Sequence, residues 1–255
     1  MDITNYVLSC VDDFKAFVGI DSFPDFKIIP KEITLEKADK HGYDAPASAI
    51  YDSSTGLHSL EIWSKLCLPQ MNAKYFVFHE LTHILDAQIL DAQVHSQNNN
   101  IKHVLNKGYT EFHASQIDFM QIVGAENIFT PFSFDMNQMV KTISGEKTAN
   151  EYLDESRILA TDLIERTDFP ANIYTLLDTL GIIFNYYGKR SICKMHAKNY
   201  KDQSDLGVIT GLIGEDNVKI LNSLMLGWLE PSKVVLVDTL FKIMVMSLAQ
   251  KYHLL

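Results

Sequence analysis

Residues 76–86 read FVFHELTHILD, and the rest of the chain can be arranged around this stretch. Apolar residues fall on nearly every side of a helix drawn through it, which predicts a helix that is buried almost all round. We expect Asn72 to be its N-cap residue and its end to lie at about Asp91 or Val94. The few polar residues inside such a helix are therefore candidates for a specific role.

Three of these polar residues, His79, Glu80 and His83, form the pattern H-E-x-x-H. Residues four apart are separated by about one helical turn, so both imidazoles leave the same face and can hold one metal ion. Glu80 lies beside them and offers a carboxylate that can take a proton from an attacking water. The pattern is typical of zinc hydrolases, and Zn²⁺ is the predicted cofactor.

A catalytic zinc site usually has a third protein ligand and keeps its fourth position open. In the metzincin pattern the third ligand is a histidine six residues after the motif, and this chain has Ile89 at that position. The other common solution is a glutamate on a following helix. Glu111 is our predicted ligand, because it lies 28 residues after His83 at the start of the next predicted helix. Glu126 is the alternative.

Two supporting roles also have candidates in the sequence. Asp86 follows His79 by seven residues and lies about 20° away around the helix, where its carboxylate can support a ligand histidine. A solvated helix carboxylate explains Asp86 equally well. For the group that stabilises the oxyanion of the reaction, the first candidate is Tyr109. The alternatives are three histidines, His95, His103 and His113.

Composition excludes some classes of function. The chain has 255 residues, of which 47% are hydrophobic, enough to bury a sizeable core. Its formal net charge is −10, from 22 basic and 32 acidic residues, and it contains no Lys/Arg run. Nucleic acids and anionic membranes are bound by clustered positive charge, so we expect neither as a partner.

The cysteines and the termini indicate a cytoplasmic protein. Cys10, Cys67 and Cys193 are few and far apart, which favours reduced thiols over a disulfide framework. The first residues lack the basic region of a secretory leader. The longest apolar segment, 234–248, contains an aspartate and a lysine and is shorter than the roughly 20 apolar residues of a membrane span.

The pattern of the whole chain predicts an α+β protein that is predominantly helical. Its front half contains a helix at 3–18 ended by Gly19, a short strand from Phe26, and a β-hairpin of 47–51 and 57–63 around Gly56. After the motif helix come a polar loop at 96–108 and a helix from Thr110 to Val123. Further helices are predicted at 135–144, 149–166, 171–187, 189–198, 216–228 and 231–253.

These elements suggest two units. Residues 1–128 would form a strand-containing core and residues 129–255 an all-helical subdomain, with the boundary near 129–131. One continuous domain is the alternative.

The motif from His79 to His83, followed by Asp86 and by the stretch Glu111-Phe-His-Ala114, resembles the gluzincin branch of zinc metallopeptidases. In that branch the third ligand lies in an E-x-x-A-like stretch of the next helix. Among gluzincins, the chain is most similar to the compact zincins of the ImmA/IrrE kind and to the catalytic domain of anthrax lethal factor. The resemblance covers roughly residues 45–123 and does not extend beyond 125.

This resemblance implies a zincin-like core, in which a small sheet with a β-hairpin accompanies the active-site helix. An edge strand of that sheet would receive a substrate peptide by β-pairing. The chain lacks the helix-turn-helix module that is often joined to ImmA-type domains, which argues against a role in transcription.

The activity implied is hydrolysis of peptide bonds, with His79, His83 and Glu111 holding Zn²⁺. Glu80 would take the proton of the attacking water and then protonate the leaving amine. The expected partner is a peptide or protein substrate, and the oligomeric state is left open. The alternative is a non-catalytic metal-binding module with a binding, immunity or regulatory role, although retention of Glu80 favours the enzyme. A helical protein with an accidental motif is the least favoured reading.

Overall fold

The fold of this chain is α+β and predominantly helical, as the sequence predicts. The computed structural model describes residues 2–32, 45–52, 55–93, 107–202, 206–225 and 231–254. Helix α1 (Ile3–Val18) begins at Asp2, whose side chain accepts a hydrogen bond from the backbone N–H of Asn5. It ends at Gly19, which takes the left-handed conformation with φ 73° that glycine adopts without strain.

A small sheet follows α1. It consists of β1 (Phe26–Lys31), β2 (Ala47–Asp52) and β3 (Leu57–Trp63) in the order β1-β3-β2. Strand β1 runs parallel to β3, whereas β2 and β3 form the antiparallel hairpin that the sequence predicts. Within the described residues, β2 therefore lies at an edge of the sheet.

The motif lies on helix α2 (Lys74–Gln93), which is buried on most sides as predicted. Asn72 is not its N-cap residue, and this expectation is wrong. Two short 3₁₀ turns, Ser64–Cys67 and Pro69–Met71, lead into the helix. Asn72 follows them with φ 41°, and its side-chain amide donates to the backbone carbonyl of Lys141.

The next helix, α3 (Lys107–Ile122), begins three residues before the predicted N-cap residue Thr110. Thr110 therefore lies within the first turn, and its side chain is directed at α2 instead of capping α3. Gly124, with φ 89°, follows the end of the helix as expected. Of the predicted loop at 96–108, residues 107 and 108 belong to α3 and the rest lie outside the described residues, as do His95 and His103.

The second half of the chain is not entirely helical. The predicted helix at 135–144 is wrong, because this region forms the antiparallel pair β4 (Met139–Thr142) and β5 (Gly145–Thr148). Val140 and Thr142 are buried while their neighbours are exposed, a period of two that a strand produces. The remaining elements are α4 (Ala149–Ile164), α5 (Ile173–His196), α6 (Gly207–Ile213), α7 (Glu215–Ser223) and α8 (Pro231–Lys251).

Helix α5 is one continuous helix, so the predicted stop at Gly188 is also wrong. Gly188 is needed there for packing. A Cβ atom at this position would overlap the backbone carbonyl oxygen of Phe112, so the missing side chain lets α5 lie directly against α3. Close approach of two backbones is a common reason for a glycine inside a helix.

Helix α3 is the centre of the helical packing. It lies against α2 on one side and along α5 on another, and α8 crosses its first turn. Gly108 makes that crossing possible, since a Cβ atom there would collide with the Phe241 side chain. Residues on both sides of the predicted boundary at 128 and 129 thus pack together, while the division into two units stays a prediction. No helix within the described residues has both the length and the apolar character to cross a membrane.

The contact between α8 and α3 contains a buried carboxyl group. Asp238 on α8 is 6% exposed, and its Oδ1 accepts a hydrogen bond from the backbone N–H of Tyr109 at 3.4 Å. Burial raises the pKa of Asp238 to about 7, helped by the Asp86 charge and opposed by the Tyr109 hydrogen bond and by Lys242. Below about pH 7 the folded protein therefore favours the protonated carboxyl.

Replacing Gly188 with alanine should destabilise the fold by about 1–3 kcal/mol, because the added methyl group must push α5 away from α3. Gly211 is a matched control: it is also helical, but a Cβ atom there meets nothing within 4 Å. Gly211→Ala should be neutral or stabilising by about 0.5–1 kcal/mol. Urea unfolding of both variants measures the difference, and equal effects would contradict the proposed packing role of Gly188.

Asp238→Asn should stabilise the protein in a pH-dependent way. Between its ordinary pKa of 3.8 and about 7, the folded state binds more protons at Asp238 than the unfolded state does, so rising pH lowers the stability of the wild type. The asparagine variant escapes this loss. Its advantage should be near zero at pH 4 and reach roughly 2–4 kcal/mol at pH 8. Urea unfolding across this pH range measures the advantage, and Asp21→Asn, at an exposed aspartate, controls for the loss of one charge. An advantage that did not grow with pH would disprove the effect.

Candidate metal centre

His79, His83 and Glu111 meet where α2 packs against α3. The Oε2 atom of Glu111 lies 3.7 Å from Nε2 of His79 and 3.8 Å from Nε2 of His83. The three candidate ligand atoms all lie within 4.8 Å of one another. The side chains are 14%, 17% and 16% exposed, respectively, so the cluster is largely enclosed but reachable from solvent.

Each imidazole is held through its other ring nitrogen. Nδ1 of His79 lies 2.9 Å from Oδ2 of Asp118, and Nδ1 of His83 lies 2.7 Å from Oγ1 of Thr110. Both partners are on α3. Thr110 directly precedes Glu111, and Asp118 follows it by about two turns. A hydrogen bond at Nδ1 fixes the orientation of the ring and leaves Nε2 to face a metal ion.

The dimensions of the cluster fit a zinc ion. With bonds of 2.0–2.1 Å to nitrogen and oxygen in tetrahedral geometry, ligand atoms stand about 3.3 Å apart. The observed distances of 3.7 and 3.8 Å between Glu111 and the two imidazoles need a contraction of only a few tenths of an ångström. The two imidazole nitrogens lie within 4.8 Å of each other and would also move closer around a bound ion. Two imidazoles and one carboxylate are a known donor set for catalytic zinc, and leave the fourth position open.

The three side chains of the cluster shift one another's pKa values. Burial lowers the pKa of His79, but its hydrogen bonds to Asp118 and Glu111 outweigh this effect and raise the pKa to about 10. Burial lowers the pKa of His83 below its ordinary value, despite the Glu111 charge. Burial opposes ionisation of Glu111, yet His79, His83 and Lys107 lower its pKa further than burial raises it. A metal ion bound at Nε2 of His79 would take the place of a proton there.

The positive charge of Lys107, in the first turn of α3, stabilises the ionised Glu111 carboxylate. Its ammonium donates to Oδ1 of Asp178 on α5 at 2.7 Å. Both Lys107 and Glu111 lie against Gly181 of α5, where a Cβ atom would stand 3.0 Å from Cε of Lys107 and 3.5 Å from Oε1 of Glu111. The glycine therefore leaves room for the ligand carboxylate and its neighbouring lysine.

Glu80 is 8% exposed and is tied to the sheet, since its Oε2 accepts the backbone N–H of Ala49 at 2.7 Å. The ladder geometry explains this contact. Trp63 donates to the carbonyl of Pro46, and hydrogen-bonded pairs alternate along an antiparallel ladder, so the backbone groups of Ala49 point away from β3. The carboxylate is thereby held at the edge strand β2 and beside His79.

The cluster lies in a cleft of about 1480 Å³. One side is formed by α2, α3 and the edge strand β2, and the other by α4 and α5. The side chains of α3 that line it are Lys107, Thr110, Glu111, Ser115 and Asp118. Helices from the second half of the chain thus line the same cleft as the cluster.

The structure places the other predicted site residues outside this cleft. Tyr109 is 3% exposed and its ring lies 5.6 Å from that of His113, so neither candidate oxyanion group is in the cleft. The reason is helical geometry, because residues two before or two after Glu111 project about 160° away from it. Glu126, the alternative ligand, is exposed beyond the end of α3 and is not part of the cluster.

Asp86 does not hold the Nδ1 atom of either motif histidine, since both Nδ1 atoms have partners on α3. Its carboxylate instead pairs with Nδ1 of His113 at 2.8 and 3.0 Å, and both residues are buried. The supporting role predicted for Asp86 is filled at His79 by Asp118. Sequence reasoning missed Asp118, although it follows Glu111 by seven residues and so lies on the same face of α3.

Comparison of the chain with models of known protein families, with curated proteins and with solved structures found no match.

Glu111→Ala should remove the metal site. The wild type, equilibrated with zinc and then dialysed, should retain about one zinc ion per chain. Loss of a supporting residue weakens metal binding roughly tenfold to hundredfold, and loss of one of the three ligands should weaken it by much more. Glu126→Ala is the control, since it removes an exposed glutamate near the same helix. Elemental analysis gives the stoichiometry. Undiminished zinc in Glu111→Ala would exclude this residue as a ligand.

Proposed function

We propose that this chain is a zinc-dependent metallopeptidase of gluzincin type that cuts a peptide or protein. One observation carries the proposal. The two motif imidazoles and a carboxylate from the following helix converge within 4.8 Å in a cleft, with Glu80 beside them. The small sheet, the motif helix and the ligand helix would then correspond to a zincin-like core.

The chemistry expected of the bound zinc ion is to activate water and to polarise the carbonyl of the scissile bond. Glu80 accepts the proton that the attacking water loses and later donates it to the leaving nitrogen. The N–H of Ala49 holds one oxygen of this carboxylate, so the other oxygen can face the water. Asp118 and Thr110 keep the two imidazoles turned toward the metal position.

The edge strand β2 offers a way to align an extended peptide. Its outward backbone groups alternate with those paired to β3, and the outward N–H of Ala49 already contacts Glu80. A peptide that adds to this edge would run past the carboxylate that acts on it. The position of the proposed base therefore follows from the same strand that would position the substrate.

The size of the cleft favours a peptide over a small metabolite. Pockets for small molecules usually enclose about 300–1,000 Å³. The cleft here measures about 1480 Å³ and is lined from both sides, by β2 and by helices α4 and α5. Several consecutive residues of a substrate chain fit in such a space.

Glu80→Gln tests the proposed base. Glutamine keeps the size of the side chain and can still accept the Ala49 hydrogen bond, but it cannot take up a proton at neutral pH. We expect zinc content to be unchanged and the rate of peptide cleavage to fall about 10²–10⁴-fold. The readout is mass spectrometry of a proteome-derived peptide mixture, compared with wild type and with the exposed-site control Glu126→Gln.

Persistent cleavage by Glu80→Gln would show that another group acts as the base. A wild type that binds zinc but cuts none of these peptides would instead favour the alternative function, a metal-binding module without catalysis.

A further inference from the structure

Lys189 is a buried cation on the cleft wall whose charge has no acidic partner among the described residues. Its side chain is 7% exposed and lines the cleft. The ammonium donates to Oγ of Ser156 at 3.1 Å and lies 4.2 Å above the centre of the Tyr152 ring. Within the described part of the chain, no carboxylate oxygen lies within 4.0 Å of it.

The acidic side chains that flank this cation are engaged elsewhere. Glu155, next to Ser156 on α4, is paired with Lys147. Asp118, which accepts the Tyr152 hydroxyl at 3.5 Å, holds Nδ1 of His79 at 2.9 Å. A buried ammonium with only a hydroxyl and an aromatic face for partners costs free energy, and buried charges are normally paired. An anion bound from the cleft would supply the missing charge.

A further hydrogen-bond donor, Asn185, lies on the same face of α5 as Lys189. Asn185 lies one turn before Lys189 on α5 and also lines the cleft. Its Oδ1 accepts the hydroxyl of Ser115 at 2.8 Å, so its amide NH₂ is directed to the other side of the group. An ammonium, an amide and the Ser156 hydroxyl form a donor set suited to a carboxylate.

The position is close to the proposed metal site. Ser115, which holds Asn185, follows Glu111 by one turn of α3. Tyr152, beneath the Lys189 ammonium, is linked through Asp118 to the ligand His79. A carboxylate bound here would belong to a substrate that occupies the same cleft as the proposed metal site.

We infer that Lys189, with Asn185 and Ser156, binds a carboxylate of the substrate peptide. That the carboxylate belongs to a peptide rests on the proposed function, because the donor set by itself indicates only that an anion binds. Two sources supply this chemistry: the C-terminal carboxylate of the peptide, or an aspartate or glutamate side chain near the scissile bond. The activity is thus selective for acidic or C-terminal positions.

The test measures binding, so it does not depend on cleavage. Two pairs of short peptides separate the two sources of carboxylate. One pair is acetyl-Ala-Ala-Ala with a free or an amidated C-terminus, and the other is amidated acetyl-Ala-Glu-Ala or acetyl-Ala-Gln-Ala. Each peptide is titrated into the zinc-equilibrated and the chelator-treated full chain at constant ionic strength, and NMR chemical-shift changes give the dissociation constants.

In at least one pair, the wild type should bind the acidic member about tenfold or more tightly than its neutral counterpart, as expected for a charged hydrogen bond. Lys189→Met, which keeps the length and apolar stem of the side chain, should reduce that ratio to about one. Lys189→Arg should retain part of it. Lys219→Met is the matched control, because it removes the same charge from an exposed lysine that is already paired with Asp216.

Equal binding of acidic and neutral peptides by the wild type, including no detectable binding of either at millimolar concentration, would overturn the inference. So would an acidic preference that survives in Lys189→Met. If that variant does not fold, Lys189→Gln replaces it, since glutamine keeps a donor toward Ser156 without the charge. A chain that cuts peptides without acidic preference would refute this inference alone, whereas a Lys189-dependent preference in a chain that cuts none would refute the proposed peptidase function alone.

Discussion

The candidate site depends on the packing of α3 against α2. This one contact brings the Glu111 carboxylate to 3.7 and 3.8 Å from two imidazole nitrogens on the other helix. The same face of α3 supplies Asp118 and Thr110, which fix both rings through Nδ1. Ligand and supporting residues therefore come from one helix surface, and a rotation of α3 would lose all of them together. The glycines of α5 and of the first turn of α3 permit the close packing that prevents such a rotation.

The second half of the chain completes the site as a cleft. Helix α5 passes Glu111 at Gly181, places Asp178 against Lys107, and continues as the wall that carries Asn185 and Lys189. Opposite this wall, β2 holds Glu80 through the backbone of Ala49. The proposed base, the proposed ligands and the proposed carboxylate site are thus attached to different elements that meet across one cavity. The groups proposed for catalysis and those proposed for substrate binding therefore line the same cavity.

Much of the architecture follows from local sequence signals. Apolar periodicity, Gly19 and Gly124 located α1 and the end of α3, and the alternating runs around Gly56 located the hairpin of β2 and β3. The misassignments arose where tertiary contacts override local preference. Gly188 has the sequence signature of a helix stop, but it lies where α5 touches the α3 backbone. Tyr109 is close to Glu111 in sequence, but it projects from the other side of the helix and is buried. The spacing of seven residues from Glu111 places Asp118 on the ligand face of α3, but only the packing of α3 against α2 shows that it holds His79. Lys189 acts through partners on α4, which no local pattern reveals.

The central claim is that His79, His83 and Glu111 together bind one zinc ion, and a crystal structure of the zinc-equilibrated protein tests it most directly. Diffraction data collected on both sides of the zinc absorption edge locate the metal independently of any assumed ligand. We expect one anomalous peak about 2.0–2.2 Å from Nε2 of His79, Nε2 of His83 and a carboxylate oxygen of Glu111. A peak held by other residues, or no peak between these three side chains, would contradict it.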